Sequence, residues 1–394
     1  MKFADTSVQL PDRQFHSSIN LSLDLRARQE HRNQIITHYL MQKVVVVGDF
    51  SDSIRVAQFE PFLYHQKQLR SQLALNVVSV NAKTFADMGE ACIRSDADIL
   101  FLVPAWNEQP DEAERVLEKV RQHHPSRQLI FIDPFAQASS RFFNVLPYVD
   151  RFLKRQRYRD VQDYKNSYIG GSMMTDFLAT EGGLNFEGWH VGSKVPAGSE
   201  NRIATGWSLG TAKRMKKALY NPLFSIFPPA KTIDIFCRLA LGDEHQKEWY
   251  FEYRMGAVKA VQSLESDYRL AVSGKFNHRL VPRRQYFREI KQSRIVFSPF
   301  GWGETCWRDY EAVCYNSLLV KPSVEHLNVE PNIFVAGETY VPVRWDWADL
   351  AETCSYYLAH PEAADRIIRN ARRAYQDYFT NNSFVQTIAS ALSP

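Results

Sequence analysis

The stretch KVVVVGDFSDS at residues 43–53 decides the fold class. Four consecutive valines closed by Gly48 are too few for an ordinary helix and too uniformly apolar for a strand with one wet face. Such a run suits a strand buried on both sides, as in a parallel sheet covered by helices. The same kind of run recurs as LNVVSVN at 75–81, DILFLVP at 98–104 and QLIFIDP at 128–134. Helical patterns lie between them, notably DEAERVLEKVRQHH at 111–124. Strand and helix alternating at this interval predict βαβ units in a doubly wound α/β sheet.

A second series starts after NPLFSIFPPAK, where Pro222, Pro228 and Pro229 stiffen a connector. TIDIFCRLAL reads as a strand, WYFEYRMGAVKAVQSL as a helix and YRLAVSG as the next strand; SRIVFSPFG and SLLVKPS continue the series. In WADLAETCSYYL, the apolar positions 347, 350, 351, 354, 357 and 358 share one helical face. Pro361 then opens a last helix through about Phe379, at a position that tolerates proline. The expected organisation is an N-terminal extension (1–42), an N-terminal Rossmann-like domain (43–228), a C-terminal one (229–380) and a tail (381–394). Two such halves leave a cleft, where binding sites concentrate.

Composition narrows the function. With 394 residues, two domains are the prior. A hydrophobic share of 45% and a charged share of 23% are those of a globular chain. The net charge of +4 is too small to imply wholesale nucleic-acid binding, so anion recognition has to be local. Cys92, Cys237, Cys306, Cys314 and Cys354 are scattered without paired metal-ligand spacing, which suits a reduced, cytoplasmic setting. The opening MKFADTSVQLPDRQF has no apolar core of an export signal, and no run approaches the ~18 apolar residues of a membrane span.

SPFGWGETCWRDYEAV at 298–313 carries the chemistry. A strand ends at Ser298, a loop with Gly301 and Gly303 follows, and ETCWRDYEAVCY is expected to be a helix. The first amides of a helix lack internal partners and favour negative charge, and glycines let a ligand approach the backbone. At helical spacing, Glu304, Arg308 and Glu311 would share one face. That face is either a donor-binding surface or a solvated, salt-bridged one.

SPFGWGETCWRDYEAVCYNSLLVKP, continuing through GETYVPVRWDWADL, resembles the C-terminal nucleotide-sugar domain of bacterial group 1 and exostosin-like glycosyltransferases. The resemblance spans roughly residues 290 to 380 and is only architectural over the N-terminal half. It implies the GT-B fold, two Rossmann-like domains facing a cleft. It assigns Glu311-Ala312 to the donor ribose and Gly301 and Gly303 to the donor phosphate. Many retaining members place seven residues between two glutamates; here six separate Glu304 from Glu311.

More finely, the chain is similar to bacterial β-Kdo transferases, which implies CMP-Kdo as donor and retention through a carboxylate nucleophile. Asp234, among apolar neighbours in KTIDIFCR, is the position matched to that nucleophile. The alternative is a structural aspartate bonded to backbone amides. Lys275, His278, Arg279, Arg283, Arg284 and Arg288 form a basic cluster that either holds the donor's anionic groups or is a solvated loop. Lys321, at a strand's carboxyl end, is placed to reach the donor. Asp133, at the end of FIDPF, is read equally as structural or functional. LPYVDRFLKRQRYRD at 146–160 is either an acceptor-side wall or an exposed helix.

The segment GTAKRMKKALYNPLFSIF joins Lys213, Arg214, Lys216 and Lys217 to an apolar run, the pattern of an interfacial, anionic-lipid-seeking segment or of a plain surface helix. The expected function is a cytoplasmic transferase, peripheral at the inner face of the membrane. It would pass Kdo to a lipid-linked glycan of a lipopolysaccharide, O-antigen or capsule. No metal or other cofactor is expected, because no aspartate-x-aspartate pair stands at a strand end. The alternatives are a transferase using a UDP- or GDP-sugar and a non-catalytic nucleotide-sugar-binding subunit.

Overall fold

The computed structural model describes residues 41–51, 53–241, 249–273 and 280–393. The proposed N-terminal extension up to residue 40, and Lys275, His278 and Arg279 of the basic cluster, lie outside the described residues.

The first half is a parallel six-stranded sheet. Its strands are β1 (Gln42–Gly48), β2 (Leu75–Asn81), β3 (Ile99–Val103), β4 (Gln128–Ile132), β5 (Arg151–Lys154) and β7 (Ile203–Thr205), in the order β2-β1-β3-β4-β5-β7. Between them run helices α1 (Ser53–Tyr64), α2 (Gln66–Leu73), α3 (Phe85–Arg94) and α4 (Pro110–His123), with α5 (Met173–Thr180) in the long excursion before β7. Every residue of β3 is buried, which explains why its sequence shows no alternation.

The second half is a parallel five-stranded sheet of order β13-β11-β10-β8-β9. Its strands are β8 (Ile233–Cys237), β9 (Leu270–Val272), β10 (Ser293–Phe297), β11 (Leu318–Pro322) and β13 (Val341–Val343). Helices α6 (Lys213–Leu219) and α7 (Pro222–Ile226) lead into it. Around it lie α8 (Trp249–Gln262), α9 (Arg283–Lys291), α10 (Trp307–Cys314), α11 (Leu350–Ala359) and α12 (Pro361–Thr380). The doubly wound α/β expectation therefore holds, and the expected strands fall within a few residues of the observed ones.

Two features tie the halves together. Strand β6 (Gln156–Tyr158) of the first half pairs antiparallel with β12 (Leu327–Val329) of the second, with Gln156 opposite Val329 and Tyr158 opposite Leu327. The final helix α13 (Ser383–Leu392) returns to the first sheet. There Phe384 packs edge-on against Phe62 and Trp207, with ring centroids 5.3 and 4.9 Å apart, and Gln128 donates to the Leu392 carbonyl at 2.8 Å.

One expectation is corrected here. LPYVDRFLKRQRYRD is not an exposed helix: it supplies the end of a 3-10 turn (Phe143–Tyr148) and then β5 and β6. Lys154 is fully buried in it, paired with Asp133 and donating to the Gln137 and Ser139 carbonyls at 2.8 and 2.6 Å. With Ser140 also donating to Asp133 at 2.8 Å, this cluster fixes the loop after β4. Asp133 accordingly has the structural role.

Candidate active site

β10 ends at Phe297, and the chain runs through an irregular loop before α10 begins at Trp307, capped by Cys306. Glu304 therefore precedes the helix and does not share a helical face with Arg308 and Glu311. Asp309 caps the helix start: its carboxylate accepts the Cys306 N–H at 2.9 Å and the Ser298 hydroxyl. Lys321, at the end of β11, lies 3.4 Å from Asp309 and donates to the Glu304 carbonyl. Arg308 donates to the Ser298 hydroxyl at 3.2 Å and to the Arg238 carbonyl at 3.1 Å.

These contacts give Lys321, Ser298 and Arg308 partners within the protein around the loop. Lys321 and Ser298 are both 0% exposed, so they shape the loop from inside and do not reach into the cleft. Arg308 is committed to oxygens of its own domain. A buried, fully satisfied network of this kind rigidifies what it supports.

The two glycines differ. A side chain at Gly303 would collide with the Ala136 carbonyl of the other half, so this glycine permits the domains to touch. At Gly301 the nearest neighbour of an added Cβ would be the Arg254 guanidinium, 3.2 Å away, the end of a side chain and not backbone. Gln156 of β6 locks the contact. Its amide nitrogen donates to Ala136 and to Glu304 Oε2, and its carbonyl accepts from Thr305 N at 3.1 Å and Thr305 Oγ1 at 2.6 Å. Glu304 faces this junction; its Oε1 lies 3.9 Å from His326 Nε2.

Glu311 lies where α10 meets α6. It is buried on α10, accepts the Tyr286 hydroxyl at 2.7 Å and lies 3.8 Å from Arg214. Burial pushes its carboxyl up, opposed by the Tyr286 hydrogen bond and by Arg214 and Arg308. Arg214 belongs to α6, and its guanidinium stacks 3.5 Å from the Trp307 ring centre. Its guanidinium is engaged by Trp307 and Glu311 while the side chain stays 42% exposed. Arg283 stands exposed on α9, 5.5 Å over Phe287, close enough to Arg214 for their charges to interact. The site thus combines Glu311, Tyr286, Trp307 and Arg283 with Arg214 of α6, the helix that leads into the second half.

Asp234 is not brought to this place. It is the second residue of β8, level with Arg294 of β10, while the loop starts at Ser298. Four residues at ~3.3 Å each put it about 13 Å away, at the opposite end of the sheet. Its carboxylate accepts Arg269 N at 2.9 Å and lies 3.6 Å from Arg294, the geometry of the structural alternative.

Sequence reasoning missed Gln156 and the contact of Arg214 with Glu311. Neither has a local signal, since each acts on residues about a hundred or more positions away. Among the described residues, no group of three or more His, Cys, Asp or Glu side chains could hold a metal ion, and no helix is long and apolar enough to cross a membrane.

Residues 254–390 match the glycosyl transferase-like family. No curated protein matches the sequence. Among solved structures, a glycosyltransferase from Rickettsia africae ESF-5 aligns with a TM-score of 0.51 at 10% identity, over 89% of this chain and 98% of that one. A putative UDP-N-acetylglucosamine 2-epimerase from Listeria monocytogenes aligns with a TM-score of 0.48 at 11% identity, over 89% and 96% of the two chains. Identities this low speak to the fold alone. The fold is GT-B, and residues 254–390 form a glycosyl transferase-like domain within it.

Proposed function

We propose that this enzyme moves a sugar from a nucleotide sugar to a glycan acceptor, with the nucleotide on the Glu311 face and the acceptor on the N-terminal domain. The observation that carries the reading is the buried Glu311 carboxylate on α10, held by Tyr286 and met by Arg214 of α6. A carboxylate so placed accepts hydrogen bonds from a ribose diol. Arg214 and Arg283 then face the phosphate, where negative charge grows as the glycosidic bond breaks. The N-terminal domain offers a cavity of about 900 Å³ lined by Tyr158, Tyr168, His190 and Lys194, among others, a size suited to a ligand.

The resemblance to β-Kdo transferases makes CMP-Kdo the first donor to try, with UDP- and GDP-sugars as alternatives. A covalent route through Asp234 is not part of this proposal, given its place at the far end of the sheet. Titration calorimetry with CMP, UDP and GDP tests the reading. One nucleotide should bind, and Glu311→Ala should weaken it ten-fold or more, a change of about 1.4 kcal/mol. Unchanged affinity in a folded Glu311→Ala protein would return Glu311 to a structural role.

The acceptor is proposed to be lipid-linked, on one observation. In and just after α7, Leu223, Ile226 and Phe227 are 70%, 65% and 75% exposed, with Lys213 and Lys217 on the preceding helix. Apolar side chains that close to cations suit an anionic membrane surface such as the cytoplasmic leaflet, where each basic residue contributes on the order of 1 kcal/mol. Co-sedimentation with phosphatidylglycerol vesicles should fall when Lys213 and Lys217 become Gln and Phe227 becomes Ser. Wild-type protein that stays in the supernatant at low salt refutes it.

A further inference from the structure

Five aromatic side chains converge where the glycine loop meets the N-terminal domain. Trp106 stands in the loop after β3, at the carboxyl end of the first sheet, and Trp302 stands between Gly301 and Gly303. Their ring centres are 6.4 Å apart, inclined at 44°. Trp302 also meets Tyr250 and Trp189, each at 5.0 Å, and Trp189 meets Trp249 at 6.0 Å. The inner members Trp249 and Tyr250 are buried, but Trp106 is 60% and Trp302 39% exposed.

Two indoles open to water are costly, at roughly 25 cal/mol for each Å² of apolar surface. If the pair served only to close the domains, turning the rings into the aromatic cluster would bury that surface. Exposed apolar surface of this kind marks a binding site. Its shape selects the occupant. The apolar area is confined to two inclined ring faces beside the glycine loop. A membrane or a protein surface needs a broad patch, whereas a pyranose lays its C–H face on an indole and keeps its hydroxyls in water. The electron-rich ring face suits those C–H groups, and an indole loses little entropy on binding.

We infer that Trp106 and Trp302 form a stacking subsite for a pyranose of the acceptor glycan, assembled from both domains. This rests on the transferase reading for the word acceptor, but not for the saccharide binding itself. Trp106 is the residue to test, because it lies outside the nucleotide site.

Maltotetraose, cellotetraose and chitotetraose would be titrated into wild-type, Trp106→Ala and Trp106→Phe proteins, followed by tryptophan emission and saturation-transfer NMR. CMP, UDP and GDP would be titrated in parallel by calorimetry. At least one tetrasaccharide should bind wild type, with a Kd at least ten-fold higher in Trp106→Ala and recovered to within about three-fold by Trp106→Phe. Nucleotide affinity should stay within two-fold throughout. Equal saccharide affinity in wild type and Trp106→Ala overturns the inference, as does a wild type that binds none of the three sugars. A matching loss of nucleotide affinity in Trp106→Ala also overturns it, since the rings would then be stacking a base. Wild type that binds a tetrasaccharide through Trp106 but no nucleotide would leave the subsite standing and defeat the transferase reading alone.

Discussion

The two ends of the five-stranded sheet hold their charges in different ways. At the carboxyl end, Ser298, Asp309, Lys321 and Arg308 satisfy one another around the glycine loop, and Lys321 is wholly withdrawn from water. At the amino end, Asp234 serves one backbone amide and faces Arg294, itself half in solvent. Lys231 there ties the starts of β10 and β11 through the Ser293 and Tyr315 carbonyls, both at 2.8 Å, and the Ser317 hydroxyl at 3.0 Å. One end fixes the glycine loop; the other closes the sheet. An acid within an apolar strand is therefore not enough to mark chemistry. Which end of a parallel strand it occupies decides.

The comparison breaks most easily at Lys321. Replacing it with Met takes from the buried Asp309 the ammonium 3.4 Å away, and breaking a buried pair typically costs about 3–5 kcal/mol. The same change at Arg294, an exposed partner, should cost under about 1 kcal/mol. Urea unfolding of both variants reads the difference. Equal losses would show that the carboxyl-end network is no tighter than a surface ion pair.

Much of this architecture was legible beforehand, for a definite reason. Strands buried on both faces, such as Val44–Val47 in β1, appear as unbroken apolar runs that nothing else in the chain imitates. The glycine loop and Glu311 were legible because they lie within one short stretch. What was not legible crosses between domains. Gln156 is 148 residues from Glu304, and Arg214 reaches Glu311 from another helix, so no spacing rule connects them. The helix expected from Glu304 starts three residues later because Asp309 caps it at Cys306. For Asp234 the apolar run shows a buried strand but not which end of it the acid occupies; it stands one residue into the strand and not at its end.

The amino end can be sharpened by pH. Burial lowers the Lys231 amine to about 7. In the unfolded chain a lysine titrates near ~10.4, so above pH 7 the unfolded state binds a proton that the folded state has released. Stability contributed by Lys231 should therefore rise with pH between about 7 and 9, by at most ~1.4 kcal/mol per pH unit, and be flat below 7. Lys231→Met has no such proton. The difference in unfolding free energy between the two proteins, measured across that range, should grow with pH. A constant difference would mean that the amine stays charged on its three acceptors.

The smallest expected effect is also the most discriminating. Asp234→Asn keeps an acceptor oxygen for the Arg269 amide and loses only a partly solvated ion pair, so the cost should be under about 1 kcal/mol. About 13 Å of strand separates it from the glycine loop, further than a carboxylate on one side chain can reach to attack a bound sugar. Turnover in the variant should stay within two-fold of wild type once the nucleotide sugar that binds is known. The opposite outcome is equally well defined. If Asp234→Asn folds with wild-type stability and binds donor normally yet loses nearly all turnover, the amino end of the sheet is the reacting end after all. The wild-type peptide containing TIDIF should then carry a sugar-sized adduct when acceptor is withheld. Finding that adduct would reverse the contrast between the two ends; finding activity without it fixes Asp234 as the clasp on Arg269.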